Sequence, residues 1–243
     1  LDNIEQIHNI EKLDYVFNTI KLLKKELSGK KPLIGFIGSP WTVATYIIEG
    51  NSSKTFANVR KMLEGDEKLL HGILDMLTNI SISYLNKQIE AGIDVAMIFD
   101  TWGSLLNDEQ YEKFSLRYIN KIKHSISNQD IPLIYYVRET DKKLEALKSL
   151  NIDVLGIDST TEIGVIKKQI GDKFALQGNL DVNILKKDEK DIIIEIKKIL
   201  TSYGSNSGHV FNLGTGITPD INPDKVKILI DNLADISSKI NVK

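Results

Sequence analysis

The stretch Pro32-Leu33-Ile34-Gly35-Phe36-Ile37-Gly38-Ser39-Pro40-Trp41-Thr42 carries most of the information about the fold. Its first half is a short apolar run without polar alternation, the pattern of a parallel strand covered on both faces. Its second half falls where a doubly wound nucleotide-binding sheet would carry a glycine-rich turn. A proline and an indole occupy that turn instead, so a phosphate cradle fits poorly. Similar runs recur at Val95–Asp100, Ile131–Arg138, Ile152–Asp158, Phe174–Asp181 and His209–Gly214.

Helical segments lie between these runs. Asp66–Gln88 places Leu69, Leu70, Ile73, Leu77, Ile80 and Leu85 close to a 3.6-residue period, and Glu109–Ile126, Asp141–Leu150, Glu162–Ile170 and Ile192–Leu200 are further examples. Pro223–Ile240 reads as a closing helix, with Pro223 in its first turn and Asn222 as its cap. Strand and helix in alternation predict an α/β protein. The expected architecture is a (β/α)8 TIM-type barrel with about six of its strands in this chain. Residues 1–243 are then a single barrel domain lacking its N-terminal strands and loop. The start at Leu1, acidic and without a signal-peptide pattern, agrees with an N-terminal truncation.

Composition narrows the class. The 243 residues are 42% hydrophobic and 26% charged, as in an ordinary globular protein. No apolar run approaches the roughly 18–20 residues of a membrane span. Cysteine is absent, which removes disulfides, thiolate nucleophiles and cysteine-based metal sites. A net charge of −2 offers no electrostatic footprint for nucleic acid or an anionic membrane. Only Arg60, Arg117 and Arg138 are arginines among 31 cationic side chains, so forks for holding carboxylates are scarce.

Barrel chemistry sits at the carboxyl ends of strands. Those ends carry Gly38–Thr42, Asp100–Gly103, Arg138-Glu139, Asp158-Ser159, Gly178–Asp181 and Gly214–Gly216, and both tryptophans fall among them. A cup of aromatic rings and small hydroxyls suits a flat organic ligand with polar edges. Asp181, Ser159 and Thr160 are expected to cap helices and close turns rather than touch ligand. From the pattern alone Tyr46 would be a core aromatic on a helix, Thr101 either an N-cap or a ligand contact, and His8, His71 and His124 structural.

Four motifs, in this order, resemble the uroporphyrinogen decarboxylase family: the opening stretch with Tyr46 and Glu49-Gly50, Ile98–Gly103, Leu176–Asp181, and Gly208–Gly214 with Pro219-Asp220. The resemblance implies the (β/α)8 fold and a cytoplasmic homodimer. It also implies decarboxylation of the acetate side chains of uroporphyrinogen, a small-molecule tetrapyrrole, to coproporphyrinogen in porphyrin biosynthesis. No cofactor and no metal are implied. Substrate-binding positions carried over are Tyr46, Thr101 and Thr215, with Phe36 and Phe99 lining the cleft. Thr215 stands where the family has histidine, and Val182 where it commonly has proline. The family's arginine-rich motif and central aspartate occur nowhere in these residues, which places the catalytic groups outside them. Two alternatives remain: a catalytically impaired tetrapyrrole-binding relative, and a superfamily methyltransferase whose zinc site would need cysteines that the chain lacks.

Overall fold

The computed structural model describes residues 10–51, 53–205 and 207–240; the leading segment with His8 lies outside the described residues. Contacts divide the chain into two compact units, Leu1–Tyr135 with Ser149–Ile152, and Tyr136–Lys148 with Asp153–Lys243.

The first unit runs α1 (Asp14–Leu27), β1 (Ile34–Gly38), α2 (Pro40–Glu49), α3 (Ala57–Gly65), α4 (Glu67–Ala91), β2 (Val95–Asp100), α5 (Asp108–Tyr111), a π turn (Glu112–Leu116), α6 (Arg117–Ser125) and β3 (Leu133–Val137), the strand that the boundary cuts. Strands β1 and β2 are parallel, with Ile34 opposite Val95 and Gly38 opposite Phe99. Strand β3 follows β2, and the Ala96 N–H donates to the Pro132 carbonyl at 2.9 Å. The second unit runs α7 (Thr140–Leu147), β4 (Val154–Gly156), α8 (Ile163–Ile170), β5 (Ala175–Leu180), α9 (Glu189–Tyr203), β6 (His209–Leu213) and α10 (Pro223–Ile240). Its strands are parallel too, with Val154 opposite Ala175 and Leu176 opposite His209. Among the described residues, six strands therefore stand where the apolar runs predicted them, each leading into helix, as an α/β chain of this kind requires.

Local chemistry explains the element ends. Pro40 opens α2 at a position whose N–H would have no helical partner, while the Ser39 hydroxyl accepts from the Thr42 N–H at 2.9 Å. Asn222 accepts from Asp224 N–H at 2.9 Å before α10, the expected cap. The Gln88 amide of α4 bonds both main-chain groups of Phe36 at 3.1 Å, acting as a surrogate strand partner for β1. A side chain at Gly35 would meet Gln88 Oε1 at 2.6 Å, so that approach needs glycine there.

Three features depart from the sequence pattern. Helices α1 and α3 bury only Phe17 and Ile20, and Val59, too few apolar positions to mark them. The helix expected over Glu109–Ile126 is broken by the π turn, which buries the successive residues Phe114, Ser115 and Leu116. Trp41 does not line a cup: it is 0% exposed, and its indole N–H donates to the Trp102 carbonyl at 2.8 Å. The first turn of α2 points it inward, where a large apolar ring gains most from leaving water.

Candidate active site

In strand β2, Ala96, Ile98 and Asp100 share the fully buried face. Asp100 ends the strand there, 0% exposed, and would be costly to bury without partners. It accepts four hydroxyl hydrogen bonds: Ser39 Oγ at 2.5 Å, Thr42 Oγ1 at 3.0 Å, Ser115 Oγ at 2.5 Å and Tyr135 Oη at 2.7 Å. Tyr111 Oη lies 2.7 Å from Tyr135 Oη and extends the network. Burial, and then the charge of Asp100, push both phenols well above their ordinary pKa. Thr42 Oγ1 also accepts from the Trp102 N–H at 3.2 Å. The carboxylate thus ties the turn after β1 to the turn after β2, with the π turn and β3 drawn in. Gly103 is fixed by the same centre, since a Cβ there would stand 2.6 Å from Asp100 Oδ2.

Of the expected substrate-binding residues of the first unit, Thr101 adjoins this network in sequence and Tyr46 packs on Trp102, whose N–H the network binds. Thr101 and Trp102 follow Asp100 and are half-buried. The Tyr46 ring, 41% exposed, packs edge-on to Trp102 at 6.4 Å, so it is not the core aromatic that its helix suggested. The short 3-10 turn Gly103–Leu105 begins after Trp102, and Thr101 does not cap it. Alternation along β2 turns Phe99 away from Asp100, and there it meets Phe36 edge-on at 5.7 Å. Phe36 is 60% exposed, an unusual place for a strand aromatic. The first unit therefore brings Phe36 to Phe99, and seats Thr101 beside the indole on which Tyr46 packs.

Thr215 belongs to the second unit and is half-buried just after β6. The preceding Gly214 donates its N–H to Leu180 O at 2.8 Å and accepts from Tyr136 Oη at 3.1 Å. A Cβ at Gly214 would run into the Ser159 backbone, so this turn is glycine-dependent. Asp158 accepts from the Glu139 N–H at 3.1 Å and from Thr160 Oγ1 at 3.0 Å. Asp181 accepts from Asn183 N–H at 2.9 Å, the turn-closing role expected of it. Nothing in the sequence reading pointed to Asp100 as a hub, yet a signal existed: its parity with Ala96 and Ile98 puts a carboxylate on the buried face.

The histidines have structural settings. His71 Nδ1 lies 2.6 Å from Tyr118 Oη, and His124 Nδ1 lies 2.6 Å from Asn120 O. His209 opens β6, its Nε2 donating to Gly178 O at 3.0 Å and its ring stacked on Tyr203 at 4.5 Å. Burial lowers its pKa, against the smaller opposing effect of the bond to Gly178 O. The unfolded chain therefore takes up a proton on this histidine before the folded one does, and stability falls as pH drops below about 6.5. Urea midpoints at pH 7 and pH 5 should differ less in His209→Gln than in the parent. An equal difference in both would show that His209 carries none of the acid sensitivity.

Parallel strands alternating with helices, with aromatic and hydroxyl side chains on the turns after the strands, define an α/β protein of the βα-repeat class. The fold matches a methyltransferase from Methanosarcina mazei with a TM-score of 0.78 at 23% identity, over 90% of this chain and 63% of that one. It also matches a B12-independent methionine synthase from Shewanella sp. with a TM-score of 0.65 at 12% identity, over 92% of this chain and 66% of that one. These likenesses concern the fold. The family model for uroporphyrinogen decarboxylase matches residues 1–235, and the chain belongs to that family. It is 45% identical over 223 residues to the uroporphyrinogen decarboxylase of Tolumonas auensis, covering 90% of this chain and 63% of that relative. It is 43% identical over 246 residues to that of Ruthia magnifica, covering 98% of this chain and 71% of that relative. The chain thus spans 63% and 71% of the lengths of these two relatives. No helix among the described residues is long and apolar enough to cross a membrane.

Proposed function

We propose that the complete protein containing this chain is a uroporphyrinogen decarboxylase, a carboxy-lyase that converts the acetate arms of uroporphyrinogen to methyl groups without a cofactor. The family match across residues 1–235 carries this reading. The single-domain barrel over residues 1–243, a homodimeric state and a cytoplasmic location are part of the same proposal, supported by the family resemblance.

Loss of carbon dioxide from an acetate on a pyrrole leaves an unstable carbanion unless a ring carbon first takes a proton. Protonation makes a cationic, iminium-like electron sink, and decarboxylation restores the aromatic ring. The protein must stabilise that positive charge and deliver the proton from a well-placed acid. The groups for both tasks are expected outside these residues. What this chain contributes is positioning. Tyr46 Oη and Thr101 Oγ1 donate to substrate carboxylates, and the exposed Phe36 ring with Phe99 gives pyrrole faces an apolar surface that excludes water. Thr215 reaches less far than histidine would and cannot exchange a proton near neutral pH. That replacement favours an impaired, tetrapyrrole-binding relative.

Tyr46→Phe and Thr101→Val each remove one donor to a carboxylate. Each should raise the KM for uroporphyrinogen about tenfold in the complete protein, with the thermal midpoint preserved. Parental KM values in both variants would remove these two residues from the site.

A further inference from the structure

The three arginines have different settings. Arg60 and Arg117 are exposed on helices; Arg60 Nε donates to Thr55 O at 3.1 Å, and Arg117 lies over the Tyr118 ring at 5.9 Å. Arg138 is half-buried and follows β3 directly, at the carboxyl end of a strand. Alternation along β3 puts it on the side of Tyr136, away from Tyr135 and its buried bond to Asp100. The positive charge of Arg138 acts on the Tyr136 phenol against burial and the charge of Asp158, and Tyr136 Oη donates to Gly214 O at 3.1 Å. The side of β3 that carries Tyr136 and Arg138 is thus tied through Tyr136 to the Gly214-Thr215 turn after β6. The nearby Asp158 carboxylate is engaged by the Glu139 N–H and the Thr160 hydroxyl, and its charge acts on Tyr136 as Arg138 does, with opposite sign.

We infer that Arg138 is a substrate-binding residue whose guanidinium holds an acetate or propionate carboxylate of the tetrapyrrole beside Thr215. The inference rests on the decarboxylase reading and deepens it. A guanidinium presents five N–H donors in a planar fork that fits a carboxylate, and it stays charged at any pH the protein meets. A threonine hydroxyl is neutral and short. Arg138 therefore supplies a cationic contact next to Thr215, where the resemblance implies a histidine in the family. One consequence is specific: substrate affinity here should not titrate near neutrality, as it would with histidine in that role.

The test measures uroporphyrin affinity by fluorescence titration, and kcat and KM on uroporphyrinogen, in the complete protein. The parent is compared with Arg138→Gln, Arg138→Lys, and Arg138→Gln combined with Thr215→His. Arg138→Gln should weaken uroporphyrin binding and raise KM about 10- to 100-fold, with kcat changed far less and the thermal midpoint kept. Arg138→Lys, which keeps the charge and loses the fork, should fall between. Adding Thr215→His should recover affinity, and that recovered part should fade as pH rises through about 6.5. Parental affinity in Arg138→Gln overturns the inference. So does a loss matched by lost thermal stability that the histidine fails to recover, because Arg138 would then only brace Tyr136. If Arg138→Gln does not fold, parental affinity in Arg138→Lys overturns it equally. A parent that binds uroporphyrin through Arg138 yet never turns over uroporphyrinogen sinks the decarboxylase reading instead; turnover indifferent to Arg138 sinks this inference alone.

Discussion

Asp100→Ala should destabilise the protein by about 3–5 kcal/mol, because several buried hydroxyls lose their acceptor at once and each unpaired buried donor costs about 1–3 kcal/mol. Ser39, Ser115 and Tyr135 are all buried with Asp100, so water cannot readily replace the carboxylate. Asp100→Asn should be milder: one oxygen remains to accept, but the amide turns donors toward groups that are already donating. Urea denaturation of the two variants beside the parent measures both effects. A loss below about 1 kcal/mol in Asp100→Ala would show that the hydroxyls re-pair among themselves and that no hub exists. Because Thr101 and Trp102 follow this residue directly, Asp100→Asn should also raise the KM for uroporphyrinogen more than it lowers kcat.

Trp41→Ala is the second large effect, about 3–5 kcal/mol from the cavity and the lost apolar burial. It separates two roles for an aromatic on a βα turn. A cleft-lining ring loses affinity when truncated and leaves stability nearly intact. Trp41, fully enclosed and bonded to the Trp102 carbonyl, should do the opposite at first order, showing its loss in the unfolding midpoint. An unaltered midpoint with weakened substrate binding would return Trp41 to the cleft.

These two residues also mark where sequence reading succeeds and stops. Strands β2 and β3 were legible because a parallel strand covered on both faces must be apolar almost throughout, as VAMIFD and IPLIYYVR are, whereas β1 and β6 leave residues such as Phe36 and Val210 exposed. Ser39 and Pro40 marked the start of α2, since cap and first-turn chemistry are local. The direction of a side chain at a strand's end is not local in the same way. Whether Trp41 or Trp102 turns inward depends on how α2 leaves β1, which no short-range pattern specifies. Tyr46 shows the reverse error: Thr45-Tyr46-Ile47-Ile48 looks like core, but Tyr46 and Ile47 are both exposed. Weakly patterned helices such as α1 escape notice because a specific tie helps hold them, here Lys24 on Asp94 at 2.7 Å, rather than a broad apolar face.

The most direct test of the central proposal is incubation of the complete protein with uroporphyrinogen under anaerobic conditions, after exhaustive dialysis and with nothing added. The products are then oxidised and separated by carboxylate number. Coproporphyrinogen should accumulate through intermediates of falling carboxylate count, at the same rate with or without a chelator. Uroporphyrinogen recovered unchanged from protein that binds it would contradict the proposal and leave a tetrapyrrole-binding relative without the reaction.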